Sequence, residues 1–143
     1  MKEICIKADK NNIEEVFSFV EGELAATEGI SRKDVLKLHM IVDEIFANIS
    51  DYAYGDTKGD VKVSYEYDSE SDTVTITFTD EGVPYNPLSA EKPDITLSAK
   101  ERKVGGLGLF MVKNTVDDIR YETADGKNIL ILTKIVGGEG NHV

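Results

Sequence analysis

The sequence predicts an α+β domain, a mostly antiparallel sheet with helices packed on one face. Three observations carry this. Segments of alternating polarity come in pairs across short turn-like stretches, 61–67 with 73–79 and 119–123 with 128–136. Two stretches near the N-terminus place apolar residues three and four apart, the period of a helix with one buried face. The order is strand, two helices, hairpin, long loop, helix, hairpin, which is not the βαβα alternation of a parallel sheet.

Ile4, Ile6 and Ala8 share one parity and predict a first strand over 2–8. Asn11 and Asn12 are suited to cap a helix whose first turn holds Glu14 and Glu15. Ile13, Val16, Phe17, Val20 and Leu24 form its stripe, and Gly29 is placed to end it. Ser31 with Asp34 reads as a capping pair for a second helix, whose stripe is Val35, Leu38, Val42, Ile45 and Ile49. Val61, Val63, Tyr65 and Tyr67 alternate, residues 68–72 turn, and Val74, Ile76 and Phe78 alternate again. Residues 81–106 show little periodicity; Leu109, Val112 and Val116 then suggest a third helix. Asp125-Gly126 is a tight-turn signal between the last two strands. One domain over 1–136 is expected, with a flexible tail at 137–143.

Composition sets bounds. The chain has 143 residues, 41% apolar and 30% charged, enough for one core. Sixteen basic against 27 acidic residues give a net charge of −11, which disfavours nonspecific binding to nucleic acid or an anionic membrane. There is no long apolar run and no secretory leader pattern, and the single Cys5 forms no internal disulfide, so the expected location is the cytoplasm.

Three polar constellations stand out. Glu44 and Asn48 are four apart on the second helix, on the flank of its apolar stripe. An amide oxygen there suits a hard cation, and a carboxylate suits a proton acceptor; an ordinary polar flank is the alternative. Asp80 falls on the buried parity of its strand, where another Val or Ile is expected, and Gly82 follows. A buried carboxylate needs partners. A ligand is one candidate; capping the Gly82 turn or pairing with a core Lys or Arg are others. Gly105, Gly106 and Gly108 precede a helix, as in loops that offer N–H groups to phosphate, with Lys100, Arg102 and Lys103 nearby. A flexible hinge is the alternative, and neither a P-loop nor a dinucleotide fingerprint is matched.

Taken in order, VDEIFANISDYAYG, TDEGVPYNP and KERKVGGLGLFMVK resemble the Bergerat ATP-binding fold of gyrase-type topoisomerases, heat-shock chaperone ATPases, histidine kinases and mismatch-repair ATPases. Within it the chain is most similar to the anti-sigma-factor serine/threonine kinases of bacteria. The resemblance covers nearly the whole chain and implies a two-layer sandwich with a mixed, mostly antiparallel sheet. It implies ATP and Mg²⁺ as cofactors. Asp80 would bond the adenine amino group, Gly82 and Pro84 would line the base site, and Asn48 would be the Mg²⁺ ligand. Glu44 would be the catalytic base, and Arg102, Gly105, Gly106, Leu107 and Gly108 would meet the phosphates. Residues 88–104 would form an ATP lid. Many members of the kinase family carry histidine where this chain has Tyr52, four residues after the metal asparagine.

The function this resemblance implies is an anti-sigma regulatory factor that phosphorylates an antagonist protein in partner switching, as a homodimer. Its partners would be a sigma factor and that antagonist. The alternative is a non-catalytic adenine-nucleotide switch that controls a protein partner.

Overall fold

The computed structural model describes residues 2–27, 29–52, 59–84 and 106–136, with residues 52 and 106–109 described in the backbone only. Strand β1 is Lys2–Lys7. A 3-10 turn, Lys10–Asn12, leads into α1, Ile13–Ala25, and then α2, Arg32–Tyr52. β2, Asp60–Asp68, and β3, Thr73–Asp80, form the first hairpin. α3, Gly106–Thr115, precedes the second hairpin, β4, Asp118–Ala124, and β5, Lys127–Ile135.

The five strands lie in the order β1-β2-β3-β5-β4. Every pairing among them is antiparallel, so the α+β architecture is as expected and the described sheet contains no parallel step. β3 is central, with β2 on one side and β5 on the other. Its burial alternates strictly, Val74, Ile76, Phe78 and Asp80 buried and the four threonines half-buried. Register carries that pattern across the sheet: Phe78 sits opposite Val63 and Leu130, Ile76 opposite Tyr65 and Leu132.

The core fills the space between this sheet face and the helices. α1 contributes Val16, Val20 and Leu24; α2 contributes Leu38, Ile41, Val42, Ile45 and Phe46; α3 contributes Val112. Phe46 and Phe78 are the largest side chains with no exposure. The α2 stripe is wider than its periodicity suggested, because Ile41 and Phe46 extend it on either side, so the helix buries a broad face against the sheet.

Turn chemistry agrees with sequence at the second hairpin. Asp125 and Gly126 both take positive φ, 53° and 78°, the backbone of a two-residue turn that matches strand twist. Ser31 Oγ accepts the Asp34 N–H at 3.1 Å, the expected cap of α2. The start of α1 lies where expected, but its bonding differs. Asp9, not an asparagine, caps the 3-10 turn by accepting the Asn11 N–H at 3.0 Å. Asn12 occupies the cap position of α1, yet its amide donates to the Lys7 carbonyl, since the 3-10 turn folds it back on β1. α1 ends before Gly29. The Thr27 hydroxyl takes up the Glu23 carbonyl at 2.9 Å, and Gly29, at φ +77°, serves the reversal into α2.

Candidate functional site

Glu44, Asn48 and Asp51 recur at i, i+4 and i+7 on α2 and so share one face. Asn48 is 6% exposed. Both hydrogens of its amide nitrogen are spent on Glu44, one on the backbone carbonyl and one on Oε2, each at 2.8 Å. Those two bonds fix which end of the amide is nitrogen. The other end, Oδ1, is buried and accepts no hydrogen bond. A buried amide oxygen without a donor is costly in water-free surroundings and is the kind of ligand a hard cation takes.

Glu44 is half-buried. Burial lifts its carboxyl above the ordinary glutamate value, the bond from Asn48 works against that shift, and the charges of Asp43 and Asp51 add to it. Asp51 is in turn held by Lys10 at 2.8 Å, which ties the end of α2 to the turn after β1. The carboxylate and amide are thus fixed relative to each other on one helix, and burial makes the carboxylate a stronger base than an exposed glutamate.

The second cluster is at the end of β3. Asp80 is 8% exposed, on the helix side of the sheet. Its Oδ1 accepts the Gly82 N–H at 2.9 Å and an Asn128 amide N–H at 2.9 Å. Capping the Gly82 turn is therefore one of its roles, and its buried partner is an amide rather than a core Lys or Arg. Asn128 is opposite Asp80 in the β3–β5 register. Its second N–H goes to the Gly82 carbonyl at 2.9 Å, and its Oδ1 accepts from the Tyr121 hydroxyl at 3.2 Å. Among the described residues nothing donates to Asp80 Oδ2.

Glu44 pairs with Asn48, and Asp80 pairs with Gly82; no hydrogen bond joins the two clusters among the described residues. Both lie on the side of the sheet that the helices cover. Val83 and Pro84 are exposed beyond the strand end. Gly106, Leu107 and Gly108 do not precede α3 but form its first turn, where N–H groups lack intrahelical acceptors. α3 packs against α2. Arg102, Gly105 and the expected lid at 88–104 lie outside the described residues, as does the expected tail at 137–143. His39 stacks on Phe17 at 3.7 Å between ring centres, with Glu21 3.4 Å from Nε2, a surface contact between α1 and α2.

Sequence reading missed Asn128, Tyr121 and Asp51. Asn128 carried a signal: it opens the buried parity of a strand continued by Leu130 and Leu132. Among the described residues no three His, Cys, Asp or Glu side chains converge as a metal cage, and no helix is long and apolar enough to cross a membrane.

Comparison with known proteins agrees with this fold. The chain is 25% identical over 118 residues to the serine-protein kinase RsbW of Listeria monocytogenes serovar 1/2a, spanning 79% of this chain and 73% of that protein. It is 26% identical over 119 residues to RsbW of Listeria innocua serovar 6a, with the same coverage. Among solved structures it superposes on the blue-light activated histidine kinase of Erythrobacter litoralis EL346 with a TM-score of 0.58 at 12% identity. That match covers 78% of this chain but a third, 33%, of the kinase. The Acinetobacter baumannii histidine kinase AdeS matches at a TM-score of 0.51 and 16% identity, over 95% of this chain and 69% of that one. These likenesses show a shared fold. The histidine kinase-like ATPase domain model matches residues 6–134, nearly the whole sheet-and-helix unit, and the chain belongs to that family.

Proposed function

We propose that this chain is an ATP-dependent protein serine/threonine kinase that also acts as an anti-sigma factor in the cytoplasm. It would hold a sigma factor in one state and phosphorylate an antagonist protein in another, working as a homodimer. The observation that carries the reading is the Glu44–Asn48 pair: a partly desolvated carboxyl locked beside an amide whose buried oxygen has no donor. The similarity to two serine-protein kinases supports the direction.

Asn48 Oδ1 would hold a Mg²⁺ ion, an amide oxygen being a ligand such a hard cation takes. When bound, the ion neutralises charge developing on the transferred phosphoryl group. The protein's own residues do the rest. Asp80 Oδ2 takes the amino group of adenine, with Gly82 and Pro84 beside the base. The N–H groups of Gly105, Gly106, Leu107 and Gly108, at and before the start of α3, receive the phosphates, with Arg102 as a further cation. A serine hydroxyl then attacks the γ-phosphorus, its bond to the β–γ bridging oxygen breaks, ADP leaves, and Glu44 takes the hydroxyl proton.

The test is a thermal melt with Mg-ATP, Mg-ADP and Mg-GTP on wild type, Asp80→Asn and Glu44→Gln, followed by transfer of labelled γ-phosphate to a serine-bearing antagonist. Saturation at about a hundred times Kd adds roughly 2.7 kcal/mol, a rise of several degrees. Wild type and Glu44→Gln are expected to rise with adenine nucleotides only, Asp80→Asn not at all, and only wild type to transfer phosphate. Transfer by Glu44→Gln at the wild-type rate would remove its role as base. Absence of any nucleotide shift in wild type would end the ATP reading.

A further inference from the structure

We infer that Asn128, held in place by Tyr121, is the positioning residue that makes this site selective for a 6-amino over a 6-oxo purine. The inference rests on the reading that Asp80 meets the base.

The clamp brings three N–H groups to the end of β3: one from Gly82 and two from Asn128. All three are spent inside it, two on Asp80 Oδ1 and one on the Gly82 carbonyl. What the clamp leaves for a ligand is an acceptor, Asp80 Oδ2, and no N–H donor. An adenine amino group satisfies that acceptor. A 6-oxo group would set oxygen against oxygen, and the clamp's own N–H groups could not turn toward it.

Asn128 is the reason they could not. It is 5% exposed, so water does not replace it. Flipping its amide would aim Oδ1 at two acceptors, Asp80 Oδ1 and the Gly82 carbonyl, and lose both 2.9 Å bonds. The Tyr121 hydroxyl donates to Asn128 Oδ1 at 3.2 Å and so adds a third bond to the amide's present orientation. Removing the Asn128 side chain frees Asp80 to turn. It also opens a small polar space where a water, donor and acceptor at once, can serve either purine.

The test compares Kd for Mg-ATP and Mg-ITP, which present 6-amino and 6-oxo groups respectively, on wild type, Asn128→Ala and Tyr121→Phe. Melting curves are run in parallel. Wild type is expected to favour ATP by about tenfold or more, the factor that 1.4 kcal/mol gives. Asn128→Ala should lose ATP affinity while ITP affinity holds or improves, bringing the ratio to within about threefold. Tyr121→Phe, which removes one hydroxyl, should fall between the two. Equal weakening of both nucleotides by Asn128→Ala, with the ratio unchanged, would show a merely structural role and overturn the inference while leaving the ATP site intact. If Asn128→Ala does not fold, an unchanged ratio in Tyr121→Phe overturns it instead. A wild type that binds neither nucleotide, or binds both alike, overturns it as well, and binding neither takes the ATP reading with it.

Discussion

Asp80 matters to the fold before any ligand arrives. Truncating it to alanine would strip the acceptor from the part-buried Gly82 N–H and from one buried Asn128 N–H at the end of the sheet. Asparagine keeps an oxygen where Oδ1 stands. In urea unfolding without nucleotide, Asp80→Ala is therefore expected to cost about 1–3 kcal/mol and Asp80→Asn about 1 kcal/mol or less. Equal losses would mean that the two bonds to Oδ1 contribute nothing. Asp80 was legible in the sequence because an acid interrupts a row of Val74, Ile76 and Phe78, and burial of an acid demands an explanation. Asn128 was not legible as its partner. It lies 48 residues away, and only the β3–β5 register puts the two side by side. The orphaned oxygen of Asn48 was hidden for a different reason. The spacing to Glu44 could be counted, but which end of the amide the glutamate would consume could not.

At the scale of elements, α1 is tied to the sheet through Thr27, whose hydroxyl meets the Tyr65 hydroxyl at 2.8 Å in a buried setting. Burial raises the Tyr65 phenol above the ordinary value of 10.0, the bond to Thr27 works against the rise, and Glu23 adds to it. The native state then keeps its proton at pH values where the unfolded chain has lost it. Stability falls as pH climbs past about 10, because the native state binds more protons there. Tyr65→Phe should cost about 1 kcal/mol at neutral pH through the lost bond, and its stability should decline less steeply than wild type above that pH. Parallel alkaline limbs would refute this. Elements differed in how well the sequence foretold them. The Asp125-Gly126 hairpin was plain, because few residues accept two positive φ angles in succession. The start of α3 was not: Gly106 and Gly108 are weak helix formers and read as loop, yet they form the first turn of a helix that packs on α2. The cap position of α1 at Asn12 was legible, but not that its side chain would turn back to the Lys7 carbonyl, since a 3-10 turn does not announce itself in periodicity.

For the molecule as a whole, the sheet order decides what is local and what is not. Each hairpin joins neighbours in sequence, while β1–β2 and β3–β5 join distant segments. The Asp80–Asn128 clamp lies across the second of these seams. A pocket built there has no existence in either hairpin alone; it comes into being when β5 docks on β3. Nucleotide should therefore slow hydrogen exchange most along β3 and β5, for amides that exchange only when the two hairpins come apart, and little at the outer strand β1. Uniform slowing, or slowing confined to α3, would contradict that. An occupant of the site would act as a clasp across the seam between the two hairpins, and its departure would be felt as a loosening between hairpins rather than as a local fraying.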